Sequence, residues 1–85
     1  MKDRSDRYIR TVIPLKGYRL FMEMESGSCV TVDLSVKLHT MKYLVLADEK
    51  LFQNVKTDGN YVNWGDGRVK VTVSELMDIV MLGEI

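Results

Sequence analysis

The chain reads as an α+β domain: an antiparallel β-meander and a second hairpin, packed by a C-terminal α-helix and a short middle helix. Three observations lead there. Between residues 18 and 34, YRLFMEMESGSCVTVDL, apolar side chains fall on even positions on both sides of a Ser26-Gly27-Ser28 break: Leu20, Met22, Met24, then Val30, Val32, Leu34. The odd positions carry mainly Arg19, Glu23, Glu25, Thr31 and Asp33, so a pleated ribbon would bury one face and wet the other. Asp58-Gly59 stands between two short β-prone runs, a strong local hairpin signal. Finally, Thr72 and Glu75 have capping-box spacing, followed by Leu76, Ile79 and Val80 as an apolar stripe at helical spacing.

Taken in order, residues 1–7 are charged and unpatterned, and are expected to be disordered up to Tyr8. Residues 8–13, YIRTVI, are β-branched and aromatic and make a strand that stops at Pro14, whose missing N–H ends a ladder or confines it to an edge. Leu15-Lys16-Gly17 turns the chain into the central hairpin. Without a bulge, Met24 pairs with Val30 and Met22 with Val32 around a three-residue loop, 26–28, with Gly27 or a neighbour at positive φ. A slip of one residue would set Glu25 beside Val30 and mix charge into the apolar face.

After Leu34 the spacing of Leu38, Met41 and Val45 suits a helix, and residues 41–47 read as a short helix or single turns closed by Asp48-Glu49-Lys50. Residues 51–55 and 61–64 then flank the 56–60 turn as the second hairpin. Gly65-Asp66-Gly67 forms another loop, and 68–71 a short extended segment. Thr72 or Ser74 caps a terminal helix over about 74–82, ended by Gly83 and laid across one sheet face.

Composition bounds the function. Residues 1–85 make one domain, small enough to bury only roughly 60–65% of the surface its unfolded chain exposes. Hydrophobic residues make up 46% and charged residues 28%, an ordinary globular balance. Lys plus Arg and Asp plus Glu both number 12, so no general attraction draws the chain to a phosphate backbone or an anionic membrane. Nucleic acid is disfavoured, and little charge repulsion opposes self-association. Cys29 is the sole cysteine, which excludes an intrachain disulfide. MKDRSDRYIR lacks a secretory apolar run, and no apolar run approaches the ~20 residues of a membrane span. A cytoplasmic protein is expected.

Cys29 and His39, the only imidazole, are conceivable as a nucleophile pair, but no third residue is set to orient them; a strand thiol and a loop histidine are the better account. Glu23, Glu25 and Asp33 share the odd face as a candidate metal or docking cluster, yet Arg19 beside them favours cross-strand pairing. Asp58 and Asp66, each before a glycine, read as turn residues. Trp64 is either an exposed anchor or the plug between sheet and terminal helix, and small domains need their large rings inside. Phe21 is the one large apolar residue on the polar face of the hairpin, so a second layer or a partner must meet it. The periodic placement of Met22, Met24, Met41, Met77 and Met81 favours core packing. The common phosphate, dinucleotide, zinc-protease and serine-hydrolase motifs do not occur, and no catalytic residue, cofactor or metal ligand is assigned.

The order of motifs also resembles a known family. It runs from Tyr8-Ile9-Arg10-Thr11-Val12 through Tyr18-Arg19-Leu20, the Ser26-Gly27-Ser28 turn, Val32-Asp33-Leu34 and Leu44-Val45-Leu46-Ala47-Asp48, then Phe52 with Val55, to Tyr61-Val62-Asn63-Trp64-Gly65-Asp66-Gly67 and Glu75-Leu76. Over residues 8–80 this resembles domain-of-unknown-function family 2442, small and mostly bacterial α+β proteins without an established activity. Some relatives carry an added helix-turn-helix segment and some are encoded beside small toxin-like proteins, so the resemblance implies a regulatory or antitoxin-like binding role. The chain departs from that pattern in ending at Ile85 without room for a DNA-reading module, and in carrying Val69-Lys70-Val71 where relatives have an acidic Asp-Leu pair.

The expected function is therefore that of a non-enzymatic interaction module binding itself, as a homodimer, or another small protein. Tyr8, Arg10, Phe21 and Trp64 are the interface candidates, on the edge strand 8–13, the hairpin face and the W-x-x-G turn. The alternatives are a DNA-linked regulator using Arg4, Arg7, Arg10, Lys16 and Arg19, or a small metal-dependent enzyme using Glu23, Asp33 or Asp66.

Overall fold

Two three-stranded antiparallel sheets close on one apolar core in the computed structural model, which describes residues 8–82. The first is β1 (Ile9–Leu15), β2 (Arg19–Met24) and β3 (Cys29–Asp33); the second is β4 (Val55–Thr57), β5 (Tyr61–Trp64) and β6 (Val69–Thr72). Between them run 3-10 turns at Leu34–Lys37 and Leu44–Ala47 and the one-turn helix α1 (Glu49–Gln53), and α2 (Val73–Leu82) follows β6. This is the α+β architecture the alternation and the capping box predict. The expectations for residues 1–7 and for Gly83 as a helix cap lie outside the described residues.

In β2 and β3 the even residues Leu20, Met22 and Val32 are fully buried while Arg19, Thr31 and Asp33 are exposed. The register differs from the expected one by two residues, pairing Met22 with Val30 and Leu20 with Val32, which keeps the parity and hence the faces. The loop is 25–27: the Met24 N–H donates to the Ser28 carbonyl at 2.8 Å and the Gly27 N–H to the Met24 carbonyl at 2.9 Å. A three-residue loop of this kind needs its positive φ at the third place, and Gly27 at +96° supplies it there rather than in the middle.

β1 does not stop at Pro14 but continues to Leu15, because it is a sheet edge and a missing N–H on the open side costs no ladder bond. The turn is consequently 16–18, with Tyr18 at φ +60°. A left-handed conformation costs a non-glycine residue roughly 1–2 kcal/mol. Two contacts fix Tyr18 there: its ring meets Phe52 edge-on at 5.4 Å, and its hydroxyl donates to the Ala47 carbonyl at 2.6 Å. Near its other end β1 carries a bulge, since Ile9 pairs with Met24 but Thr11 with Glu23. The extra residue, Arg10, shifts the parity of β1, so Ile9 is fully buried while Ile13, four residues on, points outward at 46% exposure.

The middle of the chain departs most from expectation. Of residues 51–55 only Val55 is extended, as the start of β4: the Asp48 carboxylate accepts the Lys50 N–H at 3.1 Å and starts α1, which takes in residues 51–53 and turns Phe52 inward. Residues 41–47, expected as a short helix or single turns, form turns that end in the 3-10 segment Leu44–Ala47; Met41 at 90% exposure and Met81 at 76% lie outside the core, against the expectation that they pack in it. β5 pairs with both neighbours, so the second hairpin is a full meander that takes in the 68–71 segment. Its 65–68 turn runs through φ values of +61°, +55° and +98° at Gly65, Asp66 and Gly67. A Cβ at Gly65 would meet Leu51 Cδ1 at 2.8 Å, so a larger residue would have to displace that side chain as well as bear the strain of a positive φ.

Thr72, not Ser74, caps α2. Its Oγ1 accepts the Glu75 N–H and Glu75 Oε1 accepts the Thr72 N–H, both at 3.1 Å. Leu76 and Ile79 then enter the cluster that holds Leu20, Met22, Val62, Val71 and Trp64. The indole of Trp64 is fully buried, stacks on Phe52 at 6.0 Å and donates its Nε1–H to the Phe52 carbonyl at 2.9 Å. Trp64 is thus the core plug, and its burial removes it from the interface candidates. No helix among the described residues is long and apolar enough to cross a membrane.

Candidate interaction face

The outer face of the first sheet is built by strand alternation and by the β1 bulge together. Cross-strand partners arrange it in three rows: Leu15, Arg19 and Asp33; then Ile13, Phe21 and Thr31; then Thr11, Glu23 and Cys29. Arg19, Thr31, Asp33 and Cys29 are exposed, so no described element is laid across this face. Its centre is apolar all the same, with Phe21 half-buried between neighbours and Ile13 and Leu15 exposed at 46% and 37%. Sequence reasoning found Phe21 and missed Ile13 and Leu15. The signal was the Val12-Ile13 pair: adjacent strand residues point to opposite faces, so one of two apolar neighbours had to face outward.

Charge is distributed unevenly along β2. At one end the Arg19 Nε–H donates to the Lys16 carbonyl at 3.2 Å, which anchors the guanidinium through Nε. At the other, Arg10 from the bulge reaches Glu23 Oε2 at 3.4 Å and Glu25 Oε1 at 3.6 Å. Among the described residues, neither the Arg19 terminal nitrogens nor Glu23 Oε1 has a hydrogen-bond partner. Arg10 therefore sits at the rim, bound to two acids.

Tyr8 lies elsewhere. Its N–H and that of Ile9 both donate to the Gly59 carbonyl, at 2.7 and 2.9 Å, tying the bulged end of β1 to the second sheet. Its ring, 58% exposed, walls an open groove of about 410 Å³ shared with Asn60, Tyr61, Thr72, Val73 and Ser74. Asn60 Oδ1 is buried without a hydrogen-bond partner among the described residues.

The remaining candidates are scattered. Cys29 is exposed, with its Sγ 3.9 Å from the Gly27 carbonyl; His39 is exposed in the turn after the first 3-10 segment, and no hydrogen bond joins them. Asp33 caps that 3-10 segment by accepting the Ser35 N–H at 3.0 Å, and Asp66 sits in the far turn, 3.8 Å from Lys56 Nζ. Among the described residues no three His, Cys, Asp or Glu side chains are grouped to hold a metal ion. Arg4 and Arg7 lie outside the described residues, while Arg10 is engaged by acids and Lys16 and Arg19 stand at the opposite end of β1 and β2. The basic residues of the DNA alternative form no common patch among those described.

The perturbed ionisations belong to the frame rather than to this face. The Lys42 ammonium, 2.7 Å from Glu75, holds that carboxyl below its ordinary value, helped by the Thr72 N–H, and Glu75 in turn raises Lys42. Asp58 is lowered by accepting the Asn60 and Tyr61 N–H groups, each at 2.9 Å, in the β4–β5 turn. No family model, no curated protein and no solved structure matches the chain.

Proposed function

We propose that this protein is a non-enzymatic interaction module whose contact surface is the outer face of the first sheet. The observation that carries the reading is the uncovered apolar row of Ile13 and Phe21, with Leu15 beside it, on a face whose ends are charged. A small domain that exposes adjoining apolar side chains on one sheet face, while the other sheet turns polar groups outward, has them where a partner can remove them from water. Arg10, Glu23 and Glu25 supply the polar rim. The motif order resembling family 2442 supports a regulatory, antitoxin-like setting in which that partner is a small protein. Sedimentation and co-purification of the full chain test the reading. The species bound by the wild type should be lost in Ile13→Lys and kept in Lys56→Glu, a charge reversal on the second sheet. An Ile13→Lys protein that retains every association, or a wild type that associates with nothing, refutes it.

A further inference from the structure

We infer that the occupant of the outer face is a second copy of this chain, docked face to face about a two-fold axis running across the strands through Ile13, Phe21 and Thr31. The inference rests on the reading of that face as a contact surface and adds the partner and its geometry. Stacked sheets lie about 10 Å apart, with strands within about 30° of one another. A closed pair of identical faces has two simple in-plane choices for its axis. With the axis along the strands, Arg19 meets the partner's Arg19 and Glu23 the partner's Glu23. With the axis across them, the direction of β2 reverses between copies, Phe21 meets the partner's Phe21, and Arg19 lies over the partner's Glu23 at both ends.

The charge order along β2, Arg19 then Phe21 then Glu23, is therefore self-complementary about Phe21 in one arrangement and repulsive in the other. The available atoms agree with this choice. Arg19 is anchored through Nε, leaving its terminal nitrogens to meet a carboxylate, and Glu23 keeps Oε1 while Oε2 faces Arg10. The same axis sets Leu15 over the partner's Thr11 and Asp33 over the partner's Cys29, so no like charges coincide. A formal net charge of zero adds no long-range repulsion between copies.

Area decides how strong the pair can be. Three rows on three strands present roughly 300 Å² per copy, well under half of the roughly 800 Å² that each partner buries in a standard stable interface. The dimer is accordingly weak, and it must be sought at several hundred micromolar rather than at nanomolar concentration.

Sedimentation equilibrium on the wild type, Arg19→Glu, Glu23→Arg, and an equimolar mixture of the two variants provides the test. The wild type should self-associate; each variant alone sets like charges opposed at both ends and should associate at least about tenfold more weakly. The mixture should recover the wild-type constant as a heterodimer, because at positions 19 and 23 one variant then presents two acids and the other two bases. Single variants that associate normally, a mixture that fails to recover, or a monomeric wild type overturn the inference. Ile13→Lys separates the two levels. If it abolishes association while the charge exchange fails, the contact face stands and the axis is wrong; if it has no effect, the face itself is wrong.

Discussion

The two sheets bury their inner faces alike and finish their outer faces differently. Each turns alternate residues into the shared core, Leu20, Met22 and Val32 from the first, and Val62, Trp64, Val69 and Val71 from the second. On its outer side the second sheet carries Lys56, Asn63, Lys70 and Tyr61, and Lys70 Nζ sits 4.3 Å from the Tyr61 ring centroid, so even the aromatic there is used locally. The first sheet shows Ile13, Phe21 and Leu15 in the same situation with nothing described above them. One chain thus contains its own control: folding a small meander here does not require an apolar outer face. What the first sheet shows in excess is available for contact.

If the inner faces are equivalent, truncating either should be expensive. Trp64→Ala removes the largest fully buried side chain and the donor to the Phe52 carbonyl, and should cost about 3–5 kcal/mol, while Met22→Ala on the first sheet should cost about 2–5 kcal/mol. Urea unfolding measures both. A loss below about 1 kcal/mol at either site would mean that one sheet contributes little to the common core.

How much of this was legible follows the same division. The buried and exposed faces of β2 and β3 could be read from period-two alternation, though not their exact register, and α2 from its T-x-x-E box, because both are local rules with no long-range partner. The bulge at Arg10 could not, since the conformation that adds one residue to β1 depends on the Glu23 and Glu25 carboxylates and on the Gly59 carbonyl beyond it. That single insertion moves Ile13 to the surface, and with it the centre of the candidate face. Residues 51–53 failed for a related reason. Leu51 and Phe52 look like strand residues, but the Asp48 cap and the Trp64 ring select a helical turn, and the ring arrives from β5, further along the chain.

The charged joint between the 41–43 turn and α2 sharpens the contrast on a smaller scale. Because Glu75 ionises below its ordinary value when folded, its contribution is complete above the unfolded carboxyl value of about 4.3 and is lost as pH falls through the lower folded value. Lys42 behaves in the opposite sense, losing its share as pH rises through its raised value. Both side chains are well over a third exposed, so screening holds the pair to under about 1 kcal/mol. Glu75→Gln keeps an acceptor for the Thr72 N–H and removes the charge. The variant should therefore lose part of the acid limb of the stability–pH curve measured between about pH 2 and 6. An unchanged limb would show that the Lys42 contact does not persist in solution.

The smallest effects bear most directly on the difference between the outer faces. Tyr61→Thr keeps strand propensity but removes the ring under Lys70, and should destabilise by about 0.5–1 kcal/mol. Ile13→Thr makes the equivalent change on the first sheet, where the side chain is nearly half exposed and has no described layer above it, and should stay within about 0.5 kcal/mol. Thermal unfolding at a few micromolar isolates folding from any association that appears at several hundred micromolar. A loss of more than about 1 kcal/mol from Ile13→Thr at the low concentration would assign that residue to the fold of its own chain. The asymmetry between the sheets would then be a matter of packing, and the apolar row would cease to point to a partner.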